Sequence, residues 1–169
     1  MWEGPRERAG RKVVYLTFDD GPNPTATPAL LDALREKRVA ATFFVIPGYV
    51  HEGTAPILRR TFEDGHAVAL HSGDRWLMLK SPADLVQEMD EAAARVERFG
   101  GHRPRRLFHP HGGWRSLSMI RGLRQSGYRL VGGSWMMWDG NGGRKRTPAS
   151  ILDGLRGRGY DLTPLPERA

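Results

Sequence analysis

The 169-residue chain contains no cysteine. This absence excludes a disulfide scaffold, a cysteine-ligated zinc site and a cysteine nucleophile, and it leaves the cellular compartment open. The sequence also lacks any run near the ~18 apolar residues of a membrane-spanning helix. Because the N-terminus has no apolar signal-peptide core, the chain as written is expected in the cytoplasm. It would be extracellular or associated with the cell wall if a signal had been removed.

The composition is that of one folded domain, with 39% hydrophobic and 27% charged residues. We predict an N-terminal tail over residues 1–12 and a single domain over residues 13–169. The net charge is +7, and arginine supplies 22 of the 26 basic residues. Aromatic residues do not alternate with the basic clusters, so a solvated basic surface is favoured and a nucleic-acid partner is not expected.

Strand and helix patterns alternate along the chain. Apolar, β-branched runs predict strands over residues 12–18, 40–46, 66–70, 106–109, 128–131 and 160–162. Helical spacing predicts a helix after each of the first five strands. Thr27, Ser81 and Thr147 are predicted N-caps, each followed by proline at the first helical position. This order indicates an α/β fold with a parallel sheet, whose chemistry is expected where the strands end.

Four of these strand ends carry polar or aromatic residues suited to a site. Asp19 and Asp20 are adjacent, so one can ligate a metal while the other acts as a base, or both can be a solvated turn pair. His71 follows the third strand, where a lone histidine is more often structural. His109 and His111, followed by a glycine pair and Trp114, suit a sugar or metal pocket, or an ordinary loop. A later segment carries Trp135 and Trp138, which fit a sugar-binding wall or the core.

Three segments together resemble the polysaccharide deacetylase (NodB-homology, carbohydrate esterase family 4) domain: residues 17–22 (TFDDGP), residues 41–45 (ATFFV) and the loop at His71. The resemblance runs over about residues 13–139. It implies a distorted (β/α) barrel and a metal-dependent hydrolase that removes N- or O-acetyl groups from a carbohydrate or polysaccharide. At the C-terminal end, residues 160–162 are a degenerate late strand, or, as we favour, one late β/α unit is missing.

The resemblance also implies residue roles. Asp19 corresponds to the general base and Asp139 to the acid of the fourth motif. Asp20 and His71 correspond to metal ligands, here for zinc, cobalt or nickel if the chain is active. The segment around His109, Pro110 and His111 corresponds to one wall of the substrate groove, to which Trp135 and Trp138 are added as candidates.

The sequence departs from the family pattern at three chemical positions. Arg75 stands where the second metal-binding histidine is expected, and a guanidinium cannot ligate a cation. Phe108 stands where an arginine orients the base. No histidine follows His111 to serve as the general acid. We therefore expect weak metal binding or none, unless another side chain replaces the missing ligand: Asp74, His109 or His111.

Two functional hypotheses follow from this pattern. The first is a deacetylase with a rebuilt site and reduced activity. The second is a catalytically inactive relative, without a metal, that acts as a glycan-binding or regulatory module. No partner protein is inferred from the sequence.

Overall fold

The computed structural model describes residue 5, the backbone of residues 7–8, and residues 10–133 and 147–167. The strands are β1 (Glu7–Arg8), β2 (Arg11–Tyr15), β3 (Thr17–Gly21), β4 (Thr42–Val45), β5 (Ala67–His71), β6 (Leu107–His109), β7 (Arg129–Leu130) and β8 (Asp161–Thr163). The α-helices are α1 (Ala26–Glu36), α2 (Ala55–Glu63), α3 (Pro82–Gly100), α4 (Leu117–Gln125) and α5 (Pro148–Gly157). Short 3₁₀ turns cover Pro47–Tyr49, Trp76–Leu79 and His111–Gly113.

Two sheets carry the fold. The larger sheet has the order β3-β4-β5-β6-β7, and every pair in it is parallel. The smaller sheet has the order β1-β2-β8, with β8 parallel to β2. The predicted parallel α/β arrangement is therefore present. β1 and the start of β2 lie within residues 1–12, and the division of the chain at residue 12 stays a prediction.

Alternation of side chains divides the larger sheet between two apolar clusters. Val68, Leu70 and Phe108 belong to the cluster that packs against the helices. The inner cluster consists of Phe44, Ala69, Leu107, Val131 and Leu165. Burial on both faces explains why the strands read as continuous apolar runs in the sequence.

The closing segment after β8 returns to the inner cluster. Leu165 is buried there, and its backbone N–H donates to the Thr42 side-chain oxygen at 2.9 Å. Arg11 of β2 and Asp161 of β8 form an ion pair at 2.9 Å across the smaller sheet. The end of the described chain is thus joined to strands near its beginning.

The helix caps agree with two of the three predicted positions. Ser81 accepts a hydrogen bond from the Asp84 N–H, and Thr147 accepts one from the Ser150 N–H. The predicted cap at Thr27 is wrong, because α1 already begins at Ala26. Asn23 is the capping side chain there, accepting from the N–H groups of Thr25 and Ala26. Among the described residues, no helix is both long enough and apolar enough to cross a lipid bilayer.

The contact between α3 and α4 depends on a glycine. A Cβ atom added at Gly122 would lie 2.7 Å from the Leu85 Cβ and 2.9 Å from the Pro82 carbonyl oxygen. Because both neighbours are close to the backbone of α3, they cannot move aside as a flexible side-chain end would. The two helices approach this closely only without a side chain at residue 122.

We predict that Gly122→Ala lowers the free energy of unfolding by about 1–3 kcal/mol, the usual cost of overpacking. Gly154→Ala is the matched control, since it lies in α5 with nothing within 4 Å of an added Cβ. Gly154→Ala should raise the free energy of unfolding by about 0.5–1 kcal/mol, because alanine has a higher helix propensity than glycine. Urea unfolding of both variants measures the difference, and equal midpoints would contradict the close packing of α3 on α4.

Candidate active site

Five polar side chains meet where β3, β5 and β6 end. Asp19 and Asp20 lie at the end of β3, His71 ends β5, His109 ends β6, and His111 follows two residues later. The registers set β5 directly against β6, with His71 opposite His109. Carboxyl ends of parallel strands share one edge of a sheet, so segments distant in sequence deliver these groups to one place.

A register irregularity separates the two adjacent carboxylates. The pairing of β3 with β4 shifts between Phe18 and Gly21, and Asp20 has a φ of 62°. A bulge of this kind re-aims side chains, and aspartate tolerates the left-handed region better than most residues. As a result Asp20 approaches the His71 Nε2 at 3.3 Å, whereas Asp19 approaches the His109 Nε2 at 3.7 Å.

The surroundings of His71 favour a neutral imidazole that can bind a metal ion through Nε2. Its side chain is 4% exposed. Its Nδ1 lies 2.7 Å from the carbonyl oxygen of His109, an acceptor that requires the hydrogen on Nδ1. Burial lowers the pKa of His71, against the opposing effects of the Asp19 carboxylate and this hydrogen bond. The neutral ring then directs the Nε2 lone pair towards Asp20, as a metal-binding histidine does.

His111 completes a group of three candidate ligands. One ligand atom from each of Asp20, His71 and His111 lies within 4.8 Å of the other two. The buried Ser72 accepts the backbone N–H of His111 at 2.7 Å, which fixes the turn. The next two residues are glycines with φ of 56° and 74°, values that permit the tight reversal after His111.

His109 faces the second carboxylate. Its Nδ1 lies 3.2 Å from the carbonyl oxygen of Val131. Its ring is stacked on His71, with centroids 5.4 Å apart, and contacts Phe44 at 5.5 Å. The site thus has two halves, with Asp20, His71 and His111 on one side and the Asp19–His109 pair on the other.

The residues predicted next to His71 have other partners. The Asp74 carboxylate accepts the Trp76 backbone N–H at 2.8 Å, and Asp74 is not in the group of three. The Arg75 guanidinium lies over the Trp76 ring, 4.9 Å from its centroid. Among the described residues the third donor therefore comes from the loop after β6, and not from the loop that carries Asp74 and Arg75.

Of the remaining predicted residues, some are buried and others lie outside the described part of the chain. Pro110 is buried directly before the turn, and Phe108 is buried in the core against the helices. A cleft of about 410 Å³ lies beside the turn, lined by Gly112, Gly113, Trp114 and Arg115. Trp135, Trp138 and Asp139 lie outside the described residues.

Sequence reasoning left the roles of two groups unseen. The Val131 carbonyl anchors His109, and the Ser72 hydroxyl anchors His111. Trp114, the aromatic residue after the glycine pair, is 52% exposed beside the cleft. Side-chain alternation was an available signal for part of this. Counting by two from the inner residues Ala69 and Leu107 places His71 and His109 on one face.

Comparison with known proteins gives concordant results. A family model described as polysaccharide deacetylase matches residues 6–131. A chitooligosaccharide deacetylase of Azorhizobium caulinodans is 29% identical over 98% of this chain and 99% of that protein. One from Sinorhizobium fredii is 53% identical over 68 residues, which are 40% of this chain and only 31% of that protein.

A solved structure extends the likeness to three dimensions. A family 4 acetyl xylan esterase from Clostridium thermocellum, in complex with a cobalt ion, aligns with a TM-score of 0.74 and 25% identity, covering 92% of this chain and 94% of that one. The predicted distorted (β/α) barrel of the NodB-homology type is confirmed by this similarity. The chain belongs to the polysaccharide deacetylase family, and its predicted deacetylase-like character is confirmed at the level of that family.

Proposed function

We propose that this chain hydrolyses acetyl groups on a carbohydrate, with a divalent metal ion held by Asp20, His71 and His111. The convergence of these three ligand atoms within 4.8 Å carries the proposal. One carboxylate and two imidazoles suit zinc, cobalt or nickel. The hydrogen bond from the His71 Nδ1 to a backbone carbonyl is the outer partner that metal-binding histidines commonly have.

In the proposed hydrolysis, the metal ion and Asp19 have different roles. A divalent ion in this position would polarise the acetyl carbonyl and acidify water. Asp19 lies beside the three ligands without being one of them, so it is free to accept a proton from the attacking water. A C–O bond forms at the acetyl carbon, the bond to the sugar nitrogen or oxygen breaks, and that atom takes up the proton. The products are acetate and the deacetylated sugar.

The substrate proposal rests on the cleft beside His111. Trp114 is half-exposed there, and an exposed indole is a favourable surface for the apolar face of a sugar ring. The relatives act on chitooligosaccharides, and the solved esterase on acetylated xylan. We infer that the substrate class is an acetylated glycan with at least one sugar ring placed against Trp114.

The alternative of an inactive glycan-binding relative is favoured by Arg75, which replaces one expected ligand. The two hypotheses differ in metal binding and in acetate release. Both quantities are measurable on the purified chain, with chitooligosaccharides and acetylated xylan as the substrates tested.

Cobalt titration followed by absorption spectroscopy should show one ion per wild-type chain. We expect Asp20→Asn, His71→Ala and His111→Ala each to weaken this binding at least about tenfold, since loss of even an outer partner costs about 10–100-fold. Asp74→Asn is the control and should bind as the wild type does. Wild-type affinity in His111→Ala, with weakened binding in Asp74→Asn, would show that the third ligand is misassigned.

Acetate release should depend on Asp19. Asp19→Asn keeps the size of the side chain but removes the base, so kcat should fall by about 10²–10⁴-fold. Cobalt binding should stay within a few fold of wild type because Asp19 is not a ligand. An enzymatic acetate assay measures the rate. If metal-loaded wild type binds either substrate but releases no acetate from it, the proposed hydrolysis is ruled out and a glycan-binding role is supported.

Trp114→Ala should raise KM for oligosaccharides with little change in kcat, because the ring is expected to bind the sugar without touching the reacting atoms. Leu117→Ala is the control, since Leu117 is also exposed but does not line the cleft. Steady-state kinetics with a series of oligosaccharide lengths measures both constants. An equal effect of the two substitutions would argue against a sugar-binding role for Trp114.

A further inference from the structure

Among the described residues, the large apolar side chains that are exposed all lie on segments that follow β4, β5 or β6. They are Tyr49 after β4, Trp76 and Leu79 after β5, and Trp114 and Leu117 after β6. These three strands are neighbours in the larger sheet, and their carboxyl ends form the edge that carries the candidate site. Single exposed apolar residues are ordinary, but their concentration at one edge indicates a binding surface.

Trp76 is presented by a turn that is fixed from several sides. The Asp74 carboxylate accepts the Trp76 backbone N–H at 2.8 Å, and the Arg75 guanidinium lies over the indole, 4.9 Å from the ring centroid. Leu77 and Met78, the next two residues, pack against the cluster on the helix side of the sheet. Trp76 itself is nevertheless 59% exposed. A ring held in place without being covered loses little conformational freedom when a ligand stacks on it.

The segments after β5 and β6 are hydrogen-bonded to each other. The Ser116 hydroxyl donates to the Met78 carbonyl oxygen at 2.5 Å, and the Ser118 hydroxyl donates to the Lys80 carbonyl oxygen at 2.7 Å. Each segment carries one exposed tryptophan, and the one after β6 lines the cleft beside the candidate site. These hydrogen bonds join the two tryptophan-bearing segments into one surface.

The polar groups around Trp76 favour a sugar over an apolar partner. Asp74, Arg75 and Lys80 are all exposed next to the turn. The centres of protein–protein interfaces are depleted of charged residues. A sugar ring has an apolar face bordered by hydroxyl groups, so an indole flanked by hydrogen-bonding side chains complements both parts of it.

We propose that Trp76 forms a second sugar-binding subsite, so that the substrate is an oligosaccharide or polysaccharide chain in contact with the segments after both β5 and β6. This inference rests on the proposed function, in which one sugar ring is placed against Trp114. Arg75 holds the indole of Trp76 and presents donors to the hydroxyl groups of the bound sugar. The segment in which the resemblance expects a second metal-binding histidine thus contacts the substrate instead.

The dependence of acetate release on substrate length tests this subsite, with chitooligosaccharides and acetylated xylo-oligosaccharides as probes. Trp76→Ala should lower kcat/KM for the longer substrates at least about fivefold, the effect expected when a contact that matters is truncated. The shortest substrates do not reach a second subsite, so their kcat/KM should stay within about twofold of wild type. An equal loss at every length would overturn the proposal.

Two further substitutions separate stacking from apolarity. Trp76→Phe keeps a flat ring, whereas Trp76→Leu keeps only an apolar side chain, so the leucine variant should lose more activity on long substrates. Leu79→Ala is the matched control, because Leu79 is 66% exposed in the same turn but has no ring. It should behave as wild type. A loss in Leu79→Ala as large as that in Trp76→Ala, or equal activity of the leucine and phenylalanine variants, would overturn the sugar subsite and indicate an apolar partner.

Calorimetric titration with the same oligosaccharides measures binding without turnover when it is done on cobalt-loaded chain carrying Asp19→Asn. Affinity should rise with oligosaccharide length, and adding Trp76→Ala should remove this rise, whereas adding Leu79→Ala should not. An affinity that does not depend on length would overturn the proposal. If metal-loaded wild type released no acetate but Trp76→Ala still removed the rise in affinity, the proposed function would fail and the second subsite would be supported.

Discussion

The geometry of the candidate site depends on the hydrogen bond from the His71 Nδ1 to the carbonyl oxygen of His109. It lies between the last residues of β5 and β6, which are also opposite each other in the parallel register. One contact thus fixes the hydrogen on Nδ1 and aligns two strand ends. Because the Nε2 lone pair is then available towards Asp20, the metal-binding form of the imidazole is set by backbone geometry.

A second constraint is the bulge at the end of β3, which gives two neighbouring carboxylates different surroundings. In a regular strand, consecutive side chains point to opposite faces, and one of the acids would leave the site. The register shift and the positive φ of Asp20 keep both at the same edge. Asp20 then faces His71 while Asp19 faces His109, so the proposed ligand and the proposed base do not compete for one cation.

The sequence predicted the fold well because the signals were local and mutually consistent. Buried β-branched runs marked β4 and β5, and Ser81 marked the start of α3 at the correct residue. Thr27 failed as a cap because α1 begins one residue earlier, at Ala26. Asn23, three residues before Ala26, accepts from the N–H groups of Thr25 and Ala26, and the Thr27 hydroxyl accepts the Asn23 N–H. Capping depends on which side chain reaches the free donors, and a motif of threonine followed by proline does not decide that.

Site residues were predictable only as far as they follow from strand ends. Asp19 and Asp20 are the last two polar residues of β3, and His71 is the last residue of β5. Their proximity therefore follows from the topology of the sheet. The proximity of His111 to them depends on a hydrogen bond from its backbone N–H to the hydroxyl oxygen of Ser72, thirty-nine residues earlier, and on two glycines with positive φ. No spacing rule within one loop contains that information.

If His111 is the third ligand, as proposed, the position of Arg75 explains why ligand spacing within one motif is a poor guide to metal binding. A ligand four residues after His71 is useful only because that spacing brings its side chain back to the ion that His71 binds. A side chain from any other strand end at that edge can reach the same ion. Here the guanidinium turns outward onto Trp76, and the imidazole of His111 enters from the loop after β6. A cation responds to the geometry and charge of its donors and not to their order in the chain. Loss of one motif residue is therefore compatible with a complete set of ligands, provided that a neighbouring loop is held close enough to supply the third.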